Sequence, residues 1–87
     1  MNGLSCITRT LNGNILFGIK GNKGYDIIEY KFDKNTFNLT ELKLISNAHF
    51  GNISQIIEMK NGNIISLENR YRLSLIVIWN RKENNNF

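Results

Sequence analysis

One short sequence motif occurs twice in this chain, and the distance between its copies constrains the fold more than any other feature. LNGNILFG at residues 11–18 returns as KNGNIISL at residues 60–67. The same gapless slide of 49 residues aligns further pairs: Leu4 with Ile53, Ser5 with Ser54, Ile7 with Ile56, Ile27 with Ile76, Ile28 with Val77 and Tyr30 with Trp79. Repeats with a period of about 20 to 50 residues are typical of arrays of one supersecondary unit. The alternative is two unrelated hairpins that share a common turn signal.

The chain is long enough for one small globular unit. It has 87 residues, of which 41% are hydrophobic and 21% are charged, and folding at this size buries only roughly 60 to 65% of the surface of the unfolded chain. Stability is therefore marginal unless a neighbour covers part of the apolar surface. Cys6 is the only cysteine, which excludes an internal disulfide and a cysteine-based zinc cluster and fits a reducing compartment.

Neither a membrane span nor a secretory signal is recognisable. No stretch approaches the roughly 20 apolar residues that cross a bilayer, and the N-terminal MNGLSCITRT lacks the basic start and apolar core of a signal. We therefore expect a cytoplasmic protein without a transmembrane segment. The net charge of +4, from 11 Lys and Arg against 7 Asp and Glu, favours polyanions only weakly. Basic residues spread along strands are typical of protected sheet edges.

Alternating apolar residues and turn signals predict an all-β chain. The predicted strands fall at residues 4–10, 14–20, 25–32 and 37–46, and then at 53–59, 63–69 and 73–79. Asn12-Gly13 and Asn61-Gly62 predict hairpins, because both residue types tolerate the positive φ of a type I′ turn. Residues 41–46, ELKLIS, could alternatively form a helical turn, because Leu39, Leu42, Leu44 and Ile45 nearly fit a helical period, but the strand pattern around them favours a strand. The result is a meander of four strands followed by one of three.

The second copy carries a family resemblance. Ala48-His49, the spacing to NGNIISLE and the closing LIVIWN resemble one WD repeat of a β-propeller. The 49-residue register extends the resemblance to the first copy, where Tyr30-Lys31 stands in the Trp-Asp place. The resemblance implies two antiparallel propeller-type blades, a four-stranded one at 4–46 and an incomplete three-stranded one at 53–79. The polar residues 80–87 are expected to form a disordered tail. Kelch repeats have a similar period, but the sequence does not contain their paired glycines.

The resemblance also implies a structural hydrogen-bond network. In WD repeats a His, an Asp of a hairpin, a Ser or Thr on a strand and the strand-ending Trp are linked. Three of the four have matches in this sequence: His49, Ser66 and Trp79. Leu73 occupies the position of the Asp, so Glu68 is the candidate substitute at a different offset, and Asn80 replaces the closing Asp.

No catalytic, cofactor or metal site is predicted. The single histidine, His49, is expected to be a structural hydrogen-bonding group, because no sequence context supplies a carboxylate that orients its ring, a nucleophile elbow or an oxyanion hole. One His, one Cys and scattered carboxylates offer no recognisable metal-ligand spacing. Residues 21–24 are too short for a phosphate-binding loop and precede a strand instead of a helix. We therefore predict that the chain is not an enzyme.

The WD-repeat resemblance implies a non-catalytic protein–protein interaction module, a scaffold that is part or a remnant of a larger propeller. The predicted contacts with a protein partner are the loop at Phe50 and the hairpin of Arg70, Tyr71 and Arg72. The alternative is binding of a polyanion, RNA or an anionic lipid, through basic loops. A third possibility is an enzyme within a larger propeller, whose catalytic residues lie outside these 87.

Two blades alone leave apolar faces uncovered, whereas complete propellers close about four to eight blades into a ring. Two arrangements resolve this difficulty. The chain belongs to a longer propeller, which we favour, or several copies assemble into a ring as a homo-oligomer.

Overall fold

The computed structural model describes residues 3–70 and 72–80, and every regular element in them is a β-strand. The strands are β1 (Leu4–Arg9), β2 (Ile15–Lys20), β3 (Tyr25–Asp33), β4 (Asn38–His49), β5 (Ile53–Glu58), β6 (Ile64–Arg70) and β7 (Leu73–Trp79). The strand interpretation of residues 37–46 is confirmed, and the helical alternative is wrong. The predictions for Tyr71 and for the tail beyond Asn80 lie outside the described residues.

The strands form two antiparallel sheets, one in the order β1-β2-β3-β4 and the other in the order β5-β6-β7. Within each sheet, every strand pairs with the next one in sequence, because short turns can join only antiparallel neighbours. This confirms the prediction of an all-β chain with a four-stranded and a three-stranded antiparallel meander.

The strand pairing repeats residue for residue after the 49-residue slide. Ile15 lies opposite Tyr30 in the first sheet, and Ile64 lies opposite Trp79 in the second. The other β2–β3 pairs have their counterparts in β6–β7, and the β1–β2 pairs have theirs in β5–β6. Even the irregularity near the start of β1 recurs near the start of β5. The two copies of the sequence motif therefore belong to the same kind of three-stranded unit.

Both Asn-Gly turns differ from the predicted type I′ turn. Gly13 and Gly62 have φ of +91°, whereas Asn12 and Asn61 do not have a positive φ. The carbonyl of Thr10 accepts the N–H of Gly13 at 3.0 Å, and the second turn repeats this bond. Each loop is therefore a type I turn followed by a left-handed glycine. The asparagine side chain explains the difference, because its Oδ1 accepts the backbone N–H two residues ahead, at 3.0 Å in the second turn, and closes the loop without a positive φ.

β4 runs past the predicted end at residue 46 and carries His49. Its pairing with β3 is irregular there, since Ile45 lies opposite Ile27 but His49 lies opposite Tyr25. Asn47 lies inside this irregularity with φ of 54°, a conformation that asparagine tolerates better than most residues. Its N–H donates to a carboxylate oxygen of β3 at 2.8 Å. The irregular pairing leaves His49 buried at the end of β4.

The two sheets stack face to face around one shared core. The core has six apolar residues, three from each sheet: Leu16, Ile27 and Ile45 from the first, and Ile53, Ile56 and Ile64 from the second. We call the face of the second sheet that bears Ile53 its front face and the opposite face its back face. The front and back of the first sheet are the 49-residue equivalents. In these terms, the back of the first sheet packs against the front of the second.

Candidate functional site

His49, Ser66 and Trp79 are brought together by the ends of β4 and β7 and the middle of β6. His49 Nε2 lies 2.6 Å from Ser66 Oγ, and the Trp79 indole N–H donates to the same oxygen at 2.9 Å. Ser66 lies opposite Val77 in the β6–β7 pairing, so Ser66 and Trp79 share one face of the sheet. The three residues that the sequence singles out as a network are therefore within hydrogen-bonding distance.

The fourth member of the network is Glu68. Its Oε1 lies 2.8 Å from His49 Nδ1. Glu68 follows Ser66 by two residues on β6, which places both side chains on the same face of the strand. Leu73, at the usual position of the Asp, is exposed on β7. The two-residue spacing on a predicted strand is the sequence signal that identifies Glu68.

One arrangement of protons satisfies every group in the network. The Glu68 carboxylate can only accept a hydrogen bond, so His49 Nδ1 carries a proton and donates it. The neutral ring then accepts at Nε2 from the Ser66 hydroxyl, whose oxygen accepts the Trp79 N–H. The bonds run from indole to carboxylate with one donor at each link, as buried polar groups require.

A guanidinium and a backbone amide stabilise the buried Glu68 carboxylate. Arg70 Nε donates to Glu68 Oε2 at 2.5 Å, and the N–H of Gly51 donates to the same oxygen at 2.9 Å. Glu68 is 0% exposed, and a buried charge without such partners would be strongly destabilising. The Arg70 guanidinium lowers the pKa of the Glu68 carboxyl, and the hydrogen bonds from His49 and Gly51 act in the same direction against the effect of burial.

Gly51 has the space for this contact because it has no side chain. A Cβ at this position would lie 2.7 Å from Glu68 Oε2, well inside van der Waals contact. The loop between β4 and β5 is therefore tied to β6 through a glycine.

Ser66, His49 and Glu68 have the connectivity of a Ser-His-acid catalytic triad. Glu68, the candidate substitute for the Asp, is thus the carboxylate that orients the His49 ring. Ser66 is 0% exposed, however, and its oxygen already accepts the Trp79 N–H. A nucleophilic serine must reach a carbonyl carbon beside an oxyanion hole. The burial of Ser66 therefore argues for a structural network.

Two of the predicted partner contacts, Phe50 and Arg70, lie next to each other beside this network. Phe50 is 83% exposed, and the guanidinium carbon of Arg70 lies 6.0 Å from its ring centroid, at the outer limit of a cation–π contact. Arg72 is exposed with φ of 67° before β7, and Tyr71 lies outside the described residues. We call Phe50 and Arg70 the exposed pair.

The first copy carries aromatic packing at the equivalent positions. Phe17 stands where Ser66 does, and Tyr30 stands where Trp79 does. Their ring centroids lie 5.2 Å apart with an interplanar angle of 53°, a favourable tilted geometry. An apolar contact therefore replaces the polar link in this copy.

Cys6 and the possible metal ligands of the described residues lie outside this network. Cys6 packs against the shared core, and burial raises the pKa of its thiol. Within residues 3–70 and 72–80, no group of three or more His, Cys, Asp or Glu is placed to hold a metal ion. The same part of the chain has no helix that is long and apolar enough to cross a membrane.

Fold and network together define a small all-β protein of two stacked antiparallel sheets with a buried Glu-His-Ser-Trp network. No protein-family model, curated protein or solved structure matches the chain. Its function therefore has to be inferred from the network and the exposed pair.

Proposed function

We propose that this chain is a pair of WD-type propeller blades and serves as a non-catalytic protein-docking module in the cytoplasm. The network supports the blade assignment. A His before the first strand of a sheet, a Ser on its middle strand and a Trp at the end of its third are what the WD-repeat resemblance implies. Glu68 supplies the carboxylate in place of the usual Asp.

The docking role is supported most strongly by the exposed pair, because the buried Glu68 holds Arg70 in place. The Arg70 side chain is 40% exposed, while its Nε is held by the buried Glu68. Arginine is enriched among the residues that dominate the binding energy of protein interfaces, and phenylalanine is enriched in such interfaces relative to the rest of the surface. A side chain that is already fixed before binding loses less conformational entropy when a partner arrives. The exposed pair therefore has the chemistry of a docking contact, and its arginine is preorganised for one.

The substitution Phe50→Ala tests this role, because Phe50 adds exposed surface and little to the core. The purified parent chain and the variant would be used to capture proteins from the same extract. Each captured protein would then be purified and its Kd for both chains measured by titration calorimetry. We expect Phe50→Ala to weaken binding of the partner about tenfold or more, which corresponds to a loss of about 1.4 kcal/mol.

Phe37→Ala is the matched control. Phe37 is 78% exposed and lies on the turn between β3 and β4, away from the network. Both variants should keep the circular dichroism spectrum of the parent. The docking assignment fails if the two variants bind every captured protein with equal affinity.

Binding of RNA or an anionic lipid has less support than protein docking. Part of the predicted basic loop is neutralised, because the Arg70 guanidinium forms an ion pair with Glu68. A polyanion-binding protein would show retention on heparin that falls steeply with salt. We expect weak retention, in keeping with a net charge of +4.

A further inference from the structure

Each half of the internal interface between the two sheets has an equivalent on the outside of the same molecule. The core is formed by the back of the first sheet and the front of the second. The 49-residue repeat gives both faces a counterpart, the back of the second sheet and the front of the first. Both counterparts expose large apolar side chains, since Ile76 on the former is 63% exposed and Ile7 on the latter is 58% exposed.

The counterparts are apolar at every core position that the repeat covers. Five core residues have an equivalent in the chain: Leu16 corresponds to Ile65, Ile27 to Ile76, Ile53 to Leu4, Ile56 to Ile7 and Ile64 to Ile15. None of these five equivalents is buried. The buried Glu29 corresponds to the exposed Ile78, so the outer surface is more apolar there than the internal one. The molecule thus displays the two complementary halves of an interface that it already forms once.

We infer that the back of the second sheet binds the front of the first sheet of another copy of this chain, repeating the internal interface between molecules. The occupant is a second copy because both complementary surfaces belong to the same chain. Two different surfaces meet in such a contact, so the association is head-to-tail and closes into a ring if the rotation from copy to copy permits. It favours the assembly of several copies over the longer propeller that the sequence alone favours. It rests on the sheets alone and is independent of the proposed docking role.

One close contact of the internal interface has a different equivalent in the interface between copies. A Cβ at Gly18 would lie 3.1 Å from Ile53 Cβ. The equivalent pair is Leu67 and Leu4, two full side chains where the internal interface has one. The sheets of neighbouring copies therefore stand further apart at this point than the two sheets within one chain.

The rim of the interface also changes, and this gives the association a distinctive salt dependence. Within the chain, the N–H of Leu11 donates to Glu58 Oε1 at 2.5 Å. The equivalents are Lys60 and Arg9, which bring like charges together between copies. Salt screens such repulsion, so the association should strengthen with salt, whereas polyanion binding weakens.

The mass in solution is the first test. Sedimentation velocity at submillimolar concentration should give the parent chain a mass of two or more copies of 10.1 kDa. Ile76→Lys and Ile7→Lys should each be monomeric, because a buried lysine without a partner is strongly unfavourable in an apolar interface. The control is Leu11→Lys, since the Leu11 side chain is 76% exposed on a turn and its contact with Glu58 uses the backbone N–H, which the substitution keeps. It should keep the mass of the parent.

Mixing the two monomeric variants separates head-to-tail contact from a symmetric dimer. Ile76→Lys keeps an intact front of the first sheet, and Ile7→Lys keeps an intact back of the second. An equimolar mixture should form a dimer and no larger species, because only one interface is left. A monomeric parent chain, or a mixture that stays monomeric, overturns the inference.

A covalent test does not require the lysine variants to fold. In a Cys6→Ser background, Leu4→Cys on one molecule and Leu67→Cys on another should form a disulfide on mild oxidation. The corresponding Cβ positions of the internal interface lie 3.1 Å apart, and a modest widening between copies reaches the roughly 3.5 to 4.5 Å that separates the Cβ atoms of a disulfide. Each variant alone should stay uncrosslinked. Crosslinking of either variant with itself, or none in the mixture, contradicts the head-to-tail contact.

Discussion

At the scale of single residues, a buried carboxylate holds the second sheet to the loop before it. Glu68 accepts hydrogen bonds from His49, from the backbone of Gly51 and from Arg70. Its donors come from β4, from the β4–β5 loop and from β6 itself. Glu68 therefore connects elements that the strand pairing leaves separate, and its loss should be felt in the stability of the whole chain.

Glu68→Ala should lower the free energy of unfolding by about 3 to 5 kcal/mol, the usual effect of removing one partner from a buried charged network. His49 would be left with an unpaired Nδ1–H. Urea denaturation followed by circular dichroism measures the change. Glu41→Ala, which removes an exposed carboxylate from β4, is the control and should stay within about 0.5 kcal/mol of the parent. Equal effects of the two substitutions would contradict the role of Glu68.

Acid should destabilise the protein through protonation of Glu68. Because the folded chain lowers the pKa of Glu68, its contribution to stability is present above the ordinary glutamate pKa and is lost as the pH falls through the folded value. We expect the free energy of unfolding to decrease below about pH 4. Glu68→Gln should flatten this decrease.

Asp33 titrates in the same direction, since the backbone N–H of Asn35 lowers the pKa of its carboxyl. The pH series is therefore best measured in an Asp33→Asn background. An unchanged pH dependence after Glu68→Gln in that background would show that Glu68 is not responsible.

At the scale of elements, the sequence predicts the features that depend on periodicity. It misses the features that depend on individual side-chain or backbone contacts. The strands, their order and the two hairpins follow from alternation and from Asn-Gly. The turn type does not, because it depends on an asparagine side chain accepting a backbone N–H. The end of β4 is also missed, since the irregular pairing near Asn47 has no signal in the alternation. The sequence indicates Glu68 only through the resemblance, because its carboxylate reaches His49 from a different strand position than the usual Asp.

The two turns should respond equally to the same substitution. Gly13→Ala and Gly62→Ala each place a side chain at φ of +91° with no neighbouring atom within 4 Å, so only the backbone conformation is affected. Each should cost about 1 to 2 kcal/mol. Thermal unfolding of the two variants measures this. Clearly unequal losses of stability would mean that the two hairpins are not equivalent units.

At the scale of the whole molecule, the two sheets share one core and should unfold together. Ile53 belongs to the second sheet but packs with Leu16 and Ile27 of the first. Ile53→Ala should therefore destabilise the protein by about 2 to 5 kcal/mol. Hydrogen exchange should show the amides of β2 and β6 losing protection to the same extent. The control is Leu11→Ala on an exposed turn. It should leave the protection of β2 and of β6 unchanged.

Independent unfolding would have a different signature. If β2 kept its protection after Ile53→Ala while β6 lost it, each sheet would have a core of its own. The shared packing seen between the back of the first sheet and the front of the second would then contribute little to stability.

Trp79 is the only tryptophan of the chain, and its indole N–H is bonded to Ser66. The protein therefore contains a built-in fluorophore at one end of its polar network. A shift of the emission maximum on substitution of His49 would report a change at the indole without any external label. The same signal would follow the network in real time during refolding.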